Sequence, residues 1–298
     1  MSTKNLTTKD VVNAKGKKKS KFKETWRRMK KNKGAVVGLV ILIIFGLAAI
    51  FANFISPEEL VTLQDAKIRL QPPSAEHWFG TDAFGRDMFT RVLYGSRISL
   101  TIGFVTAFFS LVIGGVLGAA AAFYGGQVDN VIMRFMDMLT AIPSTLLALA
   151  IVAALGASMT NLLIAITISS IPGFVRLIRS VVLTVVEMDY VEAARACGTR
   201  DARIIYKHIL PNAIGTIIIQ TTSSISGMIL QASGMSYIGM GVQPPTPEWG
   251  YMLSESREFM REQPYLMIFP GICVILTALS FNLVGDGLRD ALDPRLKD

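Results

Sequence analysis

The 298 residues are 51% hydrophobic and only 17% charged, with a mean hydropathy of +0.45. This composition is too apolar for an ordinary soluble domain and indicates an integral membrane protein. The formal net charge of +8 is unevenly distributed, because a basic run from Lys4 to Lys33 is opposed only by Asp10 and Glu24.

A basic run of this kind is typical either of a nucleic-acid-binding arm or of the cytoplasmic flank of a membrane span. The uncharged stretch from Ala35 to Ile55 follows it directly, is long enough to cross a bilayer core, and lacks a small-residue cleavage site. The length and the missing cleavage site predict a retained helix. The positive-inside rule then favours residues 1–34 as a basic cytoplasmic tail, with no nucleic-acid partner.

Mixed charges and turn residues fill the segment from Ser56 to Arg97, which we expect outside the membrane. From its residues alone it is a salt-bridged loop. Together with a proline-rich loop at Gln243–Trp249, it also suits a preorganised rim on which other proteins dock, since a rigid surface loses less entropy on binding. The candidate docking residues are Asp82, Arg86, Asp87, Arg91, Pro245 and Trp249.

The second to fourth spans are marked by small residues and by prolines. Glycine and alanine crowd the second span, residues 98–124, which predicts close packing within a bundle or against a sister subunit. In the third span, Arg134 and Asp137 are separated by one helical turn and are expected to pair near the interface. Pro143 interrupts that span, and Pro172 interrupts the fourth, which begins at Thr160.

A polar, helix-forming island follows at residues 189–211. Asp189 and Glu192 form a capping-box pattern that predicts a helix start, and Gly198 suits the left-handed position that ends a helix. Thr199 is then the expected cap of a second short helix, which Pro211 closes. The sequence predicts two short helices at an angle, forming a compact knob that a partner protein could grip.

The fifth span, Ala213 to about Gly241, is the most polar one. Its polar positions recur at three- and four-residue steps and share one helix face, while Ile218 and Ile225 lie on another face. These positions are Gln220, Ser224, Gly227 and Gln231. Two interpretations are open, a face that lines a hydrated pathway and a packing seam hydrogen-bonded to other helices, and both can hold along different turns.

After an outer loop, an amphipathic stretch from Tyr251 to Glu262 is expected to lie along the outer surface. A last span from Tyr265 to about Leu283 then returns the C-terminal tail, residues 286–298, to the cytoplasm. The pattern as a whole predicts an all-α integral membrane protein of six spans with both termini inside.

Three stretches resemble the permease subunits of bacterial ABC importers. The spacing of Glu192-Ala193-Ala194, Gly198 and Leu210-Pro211 is similar to the EAA motif of that family. The string HWFGTDAFGRD at 77–87 and the loop at 236–250 resemble the C-type permease of oligopeptide and dipeptide importers. Trp78 and Thr90 depart from that pattern without changing its spacing.

The resemblance covers Ala35 to Pro294 and implies a type I permease domain at 35–298 in a bacterial cell membrane. It implies that residues 189–211 are coupling helices seated in a cytoplasmic ATPase. The residues that match this role are Glu192, Ala193, Ala194, Gly198, Arg200, Leu210 and Pro211. The implied partners are a second homologous permease, two ATP-binding subunits, an extracytoplasmic solute-binding protein and membrane lipids.

No GxxxxGKS or GxxxxGKT string and no catalytic or metal-binding pattern occurs in the sequence. We therefore expect a non-catalytic subunit without a cofactor, whose partners bind ATP and Mg²⁺. An ion-coupled secondary transporter is the rival class, but it would need ionisable residues at mid-membrane. A membrane enzyme lacks a catalytic constellation, and nickel or haem stays open as a cargo beside peptides.

Overall fold

The computed structural model of the protein describes residues 21–292, in which the regular structure is helical apart from one isolated β-bridge between Thr81 and Asp87. The α-helices are α1 Lys21–Met29, α2 Lys33–Ile55, α3 Met88–Tyr124, α4 Gly126–Thr140, α5 Ser144–Leu155, α6 Met159–Val186, α7 Asp189–Ala196, α8 Asp201–Ile204, α9 Leu210–Tyr237, α10 Trp249–Glu255 and α11 Tyr265–Leu292. The expected all-α fold is confirmed, whereas most of the predicted basic tail, residues 1–20, lies outside the described part.

Within residues 21–292, five helical stretches are long and apolar enough to cross a membrane: α2, α3, α6, the continuous stretch Asp201–Tyr237, and α11. The helices α4 and α5 add a sixth crossing if they act as one span, although they are bent by 79°. The bend follows from Pro143, which immediately precedes α5 and cannot continue a helix from α4.

Small residues set the contact between α3 and α6, which is the most extensive helix pair described. A Cβ added at Gly118 would lie 2.6 Å from the carbonyl oxygen of Val175. One added at Gly114 would lie 2.5 Å from the Cβ of Phe174. The glycines therefore let the two backbones approach closely, which confirms packing of the second span within the bundle.

The helix that begins in the polar island does not end at Pro211. A π-helical turn, Ile205–Ile209, joins α8 to α9, and Pro211 lies in the first turn of α9. A proline is tolerated there because its missing N–H is not needed by the first turn. The Asn212 side-chain amide donates to the carbonyl oxygen of His208 at 2.7 Å. The prediction that Pro211 closes the second helix is therefore wrong, and the island continues directly into the fifth span.

The opposite end of the bundle is covered by what we call the cap, residues 56–87 and 238–264. The hydroxyl of Tyr265 donates to the carbonyl oxygens of Gln71 at 2.8 Å and Thr81 at 3.1 Å, which ties the first cap segment to α11. The prediction of a helix lying along the outer surface at 251–262 is wrong. The helix begins at Trp249, whose side chain is buried together with that of Met252 against neighbouring helices.

The last helix is longer than expected, since α11 runs to Leu292 and not to about Leu283. Its end is held against the start of α2, where the side-chain amide of Asn32 donates to the Asp290 carboxylate at 2.9 Å. Gly287 packs against Ala35 in the same contact. No proline lies between 283 and 292, and neither the two glycines nor the polar composition of this stretch ends the helix.

Candidate functional site

All four predicted polar positions of α9 line one open cavity, whose volume is about 460 Å³. The cavity lies between α4, α5, α6 and α9. Its other lining residues include Thr140, Ser144, Ser169, Ser170, Pro172, Gly173 and Arg176. The arrangement brings hydroxyl and amide groups together beside the bend between α4 and α5.

The break between α4 and α5 borders this cavity, where Thr140 and Ser144 flank the bend. The predicted interruption at Pro172 is wrong, because α6 continues through this proline from Met159 to Val186. Broken helices at membrane depth are tolerated where they are buried in protein or line a water-filled cavity. The Gln231 Nε2 atom is buried and finds no acceptor within residues 21–292. A buried donor left without a partner is destabilising by about 1 to 3 kcal/mol, so these features favour a polar occupant of the cavity.

A hydrogen-bonded seam also exists on α9, but on a different face. The Ser226 hydroxyl donates to the side-chain oxygen of Asn282 on α11 at 2.9 Å. Ile225 and Ile229 pack against Gly103 of α3 and are almost fully buried. The two interpretations of the fifth span therefore apply to separate faces of the helix, with the predicted amides at the cavity.

Two ion pairs join α4 to α6 beside the cavity. Asp137 accepts from Arg176 at 2.9 Å, and Asp129 accepts from both ends of the Arg179 guanidinium at 2.6 and 2.5 Å. The expected pairing of Asp137 with Arg134 is wrong, because the Asp137 side chain reaches across to α6. Sequence reasoning placed Arg176 only at the end of a span, although it also lines the cavity.

At the other end of α9 lies the knob, the name we use for residues 189–211. Gly198 has a φ of +71°, the Gly198 N–H donates to Arg195 at 2.9 Å, and the Thr199 N–H donates to Ala194 at 3.1 Å. These two bonds form a Schellman motif, which satisfies carbonyls at the end of α7. The predicted left-handed conformation of Gly198 is confirmed.

The predicted helix starts of the knob are wrong by one residue. Asp189 is the first residue of α7 and Met188 precedes it as the cap, with no side-chain capping bond. The second helix is capped by Arg200 and not by Thr199. The knob is held by apolar contacts instead, because Val191, Ile204 and Ile209 are fully buried against α3, α6 and α9.

The knob residues assigned by the EAA spacing differ in exposure. Glu192, Ala193, Gly198, Arg200 and Pro211 are exposed, whereas Ala194 and Leu210 are partly buried. The exposed group forms a surface at one end of the molecule, and the helix that begins in this surface continues into the cavity-lining face of α9. One continuous helical element therefore connects the two candidate sites.

Three of the six predicted docking residues form an internal network where the cap meets the start of α3. The Asp82 carboxylate pairs with Arg86 at 2.6 Å, and Glu255 accepts from Arg86 at 2.8 Å and from Arg91 at 2.6 Å. Arg91 is fully buried. Opposite charges can be buried together only when they pair in this way, so Asp82, Arg86 and Arg91 are not available for direct contact with a docking protein.

Of the other three docking candidates, Trp249 and Asp87 make contacts within the protein and Pro245 is exposed. The Trp249 side chain is fully buried, and its indole N–H donates to the carbonyl oxygen of Val92 at 3.0 Å. The Asp87 carboxylate caps α3 by accepting from the Thr90 N–H at 2.8 Å. Pro245 stays exposed, next to a cis peptide bond with Pro244. The cap thus presents a surface whose shape these buried groups maintain.

Glu248 is a functional candidate that sequence reasoning missed. Its carboxylate caps α10 by accepting from the Gly250 N–H at 2.9 Å and the Tyr251 N–H at 2.8 Å, and Ser99 of α3 lies 3.3 Å away. The side chain is fully buried, and this burial raises the pKa of Glu248 above its usual value. The sequence signal that could have revealed Glu248 is an acidic residue placed directly before the start of a helix.

In the described ranges, no group of three or more His, Cys, Asp and Glu side chains is placed to hold a metal ion. Cys197 is exposed on the knob and Cys273 is buried in α11, so the two thiols are not partners.

Comparison with known proteins places these features in a family. Residues 110–298 match the model described as binding-protein-dependent transport system inner membrane component, and residues 20–73 match that of the N-terminal TM domain of oligopeptide transport permease C. The chain is 48% identical over 278 residues to the dipeptide transport system permease protein DppC of Alkalihalophilus pseudofirmus, covering 93% of this chain and 91% of that protein. It is 42% identical over 277 residues to the glutathione transport system permease protein GsiD of Pectobacterium atrosepticum, covering 93% and 92%.

Solved structures support the fold. The MetNI methionine ABC transporter in its inward-facing conformation superposes with a TM-score of 0.56 at 17% identity, covering 69% of this chain and 98% of that one. An amino acid ABC transporter solved with histidines gives a TM-score of 0.52 at 17% identity, covering 66% and 92%. On the family matches and on this fold, the chain belongs to the inner membrane components of binding-protein-dependent transport systems, and it is a multi-pass permease subunit of an ABC importer.

Proposed function

We propose that this permease forms, with a second homologous permease, the pathway by which a dipeptide or oligopeptide crosses the membrane. The observation that carries the proposal is the continuous helix from Asp201 to Tyr237, which begins in the exposed knob and lines the cavity between Gln220 and Gln231. A rigid helix of this kind can convert movement of the knob into a change in the cavity lining.

Partners follow from the parts that this chain lacks. No phosphate-binding loop occurs in the sequence, so ATP and Mg²⁺ are bound by separate subunits. In this proposal they are two ATPase subunits that bind the knob. The exposed knob residues Glu192, Ala193 and Arg200 contact the ATPase, and Gly198 fixes the angle of the two helices. The knob is then cytoplasmic, and the cap faces an extracytoplasmic solute-binding protein.

The cap contributes shape to that docking surface. Pro245 and its neighbours Gln243 and Pro244 are the exposed contact residues in this proposal. The Gln243 side-chain amide donates to the carbonyl oxygens of Gly239 and Gly241, which braces this loop. A preorganised loop loses less entropy when a partner binds.

The peptide assignment draws on the named relatives, one of which transports dipeptides and another glutathione. Both solutes are small, polar and carry peptide bonds. A cavity of about 460 Å³ lined by hydroxyl and amide groups suits such a solute.

The proposal is tested by expressing the tagged chain with its companion subunits and measuring uptake of a labelled dipeptide into proteoliposomes loaded with ATP. We expect the ATPases and a second permease to co-purify, and uptake to require ATP and the solute-binding protein. ATP hydrolysis by the isolated chain would contradict the assignment of partners. An assembled, ATP-hydrolysing complex that imports no peptide would contradict the substrate.

A further inference from the structure

Arg176 differs from every other side chain around the cavity. It is the single ionisable residue among those that line the cavity in the described part of the chain. Its Nη2 atom donates to Asp137 at 2.9 Å and to the Thr140 hydroxyl at 2.8 Å. Its side chain is 44% exposed, so the rest of the guanidinium remains accessible from the cavity.

The ion pair with Asp137 is poorly placed to be a structural support. Both side chains are well exposed, at 44% and 56%, and exposed ion pairs contribute little to stability. The neighbouring pair of Arg179 and Asp129 joins the same two helices with two short bonds and is less exposed, at 30% and 20%. The junction of α4 with α6 therefore already has its own charged link.

The chemistry around Arg176 is selective for an anion with planar geometry. A guanidinium presents its donors in a fixed fork that matches a carboxylate. The other cavity groups, among them Ser169, Ser224 and Gln220, are neutral and can serve the amide groups of a solute. Asp137 already shows that Arg176 accepts a carboxylate partner in this position.

We propose that Arg176 binds the free carboxylate of the transported solute as it passes through the cavity. Asp137 is the exchangeable partner that holds the guanidinium at the cavity wall when no solute is bound. Arg176 is thus a specificity-determining residue for solutes with a carboxylate. The inference rests on the proposed peptide import and adds the chemical feature that the permease itself recognises.

The test uses the assembled complex in proteoliposomes and two solutes, a dipeptide with a free C-terminal carboxylate and the same dipeptide as its C-terminal amide. Each variant is compared with the wild type for the same solute, so the preference of the solute-binding protein cancels. We expect Arg176→Gln to lower uptake of the carboxylate dipeptide by about tenfold, since it removes a charged hydrogen bond, and to leave uptake of the amide nearly unchanged.

The matched control is Arg179→Gln, which removes the same residue type one turn along α6 at a position that does not line the cavity. We expect it to change uptake of both dipeptides by the same factor. Assembled complex is quantified for each variant. An equal loss of uptake for both dipeptides in Arg176→Gln would overturn the inference.

A second variant separates binding from a structural role. Asp137→Asn breaks the ion pair but leaves the guanidinium in the cavity, so uptake of the carboxylate dipeptide should stay at or above the wild-type level. If Arg176 acted only through its ion pair, Asp137→Asn would reproduce the loss seen in Arg176→Gln, and the inference would fail. If the wild-type complex imported neither dipeptide, that result would instead refute the proposed peptide function.

Discussion

Glu248 illustrates how one buried residue can connect several elements of the cap. It ends the loop before α10, accepts two backbone N–H bonds at the start of that helix, and lies within 3.3 Å of the Ser99 hydroxyl on α3. No cation contacts it among the described residues, so its charge is balanced only by neutral donors. A carboxylate in this setting prefers to be protonated.

This setting predicts a pH dependence of stability. Since burial raises the pKa of Glu248 above the ordinary glutamate value of 4.5, the folded state binds the proton more tightly than the unfolded state. Stability from this group is therefore complete below pH 4.5 and declines as pH rises from there through the raised folded pKa. Glu248→Gln keeps an acceptor oxygen for one of the two N–H groups and removes the titration.

The measurement is the thermal unfolding midpoint of the purified complex in detergent from about pH 4.5 to 8. We expect the difference in midpoint between Glu248→Gln and the wild type to grow in favour of the variant as pH rises. Parallel curves for the two proteins across this range would refute the raised pKa.

At the scale of single residues, the sequence was informative where a backbone conformation limits the choice of residue. Gly198 was predicted correctly because a positive φ at a helix end favours glycine. Capping at Asp189 and Thr199 was misplaced by one residue, because burial of Val191 and Ile204 sets the helix starts here. The partner of Asp137 lies on another helix, and no local pattern reveals it.

At the scale of elements, α9 carries two different polar surfaces. One faces the cavity with Gln220, Ser224 and Gln231, and the other bonds to α11 through Ser226. The heptad-like spacing identified the first face from the sequence. The continuity of the helix through Pro211 was missed because a proline in a first helical turn has the same sequence pattern as a proline that follows a helix.

Cysteine accessibility tests the cavity-facing surface of α9. In a background with Cys197 and Cys273 replaced by serine, single cysteines at Gln220, Ser224 and Gln231 should react with a small polar thiol reagent, because these positions line an open cavity. Cysteines at Ile225 and Ile229 are the control, since these positions are buried against α3. Equal labelling rates on both faces would contradict a water-filled cavity.

The α3–α6 contact predicts a steric effect at Gly118. Gly118→Ala places a Cβ about 2.6 Å from the Val175 carbonyl oxygen, so the two helices must separate. We expect a destabilisation of about 1 to 3 kcal/mol, as for other over-packed cores, seen as a lower thermal midpoint of the complex. Gly46→Ala is the control, because an added Cβ at Gly46 meets nothing within 4 Å. A midpoint unchanged by Gly118→Ala would show that this contact is looser than described.

At the scale of the whole molecule, apolar length and charge distribution were sufficient to predict an all-α membrane protein. The number of spans depends on α4 and α5, whose 79° bend could be located from Pro143 but not measured from it. The cap was the least predictable part. Its charges looked suited to docking, but Arg91 and Glu255 are distant in sequence and neutralise each other in the interior. Residues this far apart in the sequence meet only in the folded chain, so no local pattern predicts their pairing.

The central claim is that the knob transmits the work of a partner ATPase to the cavity, and Gly198 tests it most directly. An added Cβ at Gly198 meets nothing within 4 Å, so within this chain Gly198→Val acts through strain of the backbone at a φ of +71°. That strain is about 1 to 3 kcal/mol, too little to unfold the bundle but enough to change the angle of the knob.

The decisive measurement is the number of dipeptides imported per ATP hydrolysed by the reconstituted complex, compared between the wild type, Gly198→Val and the control Gly46→Val. We predict that Gly198→Val inserts normally and that its ratio falls about tenfold, or that the ATPase dissociates, while Gly46→Val keeps the wild-type ratio. Normal import per ATP by Gly198→Val, with normal ATPase occupancy, would contradict the role of the knob in coupling.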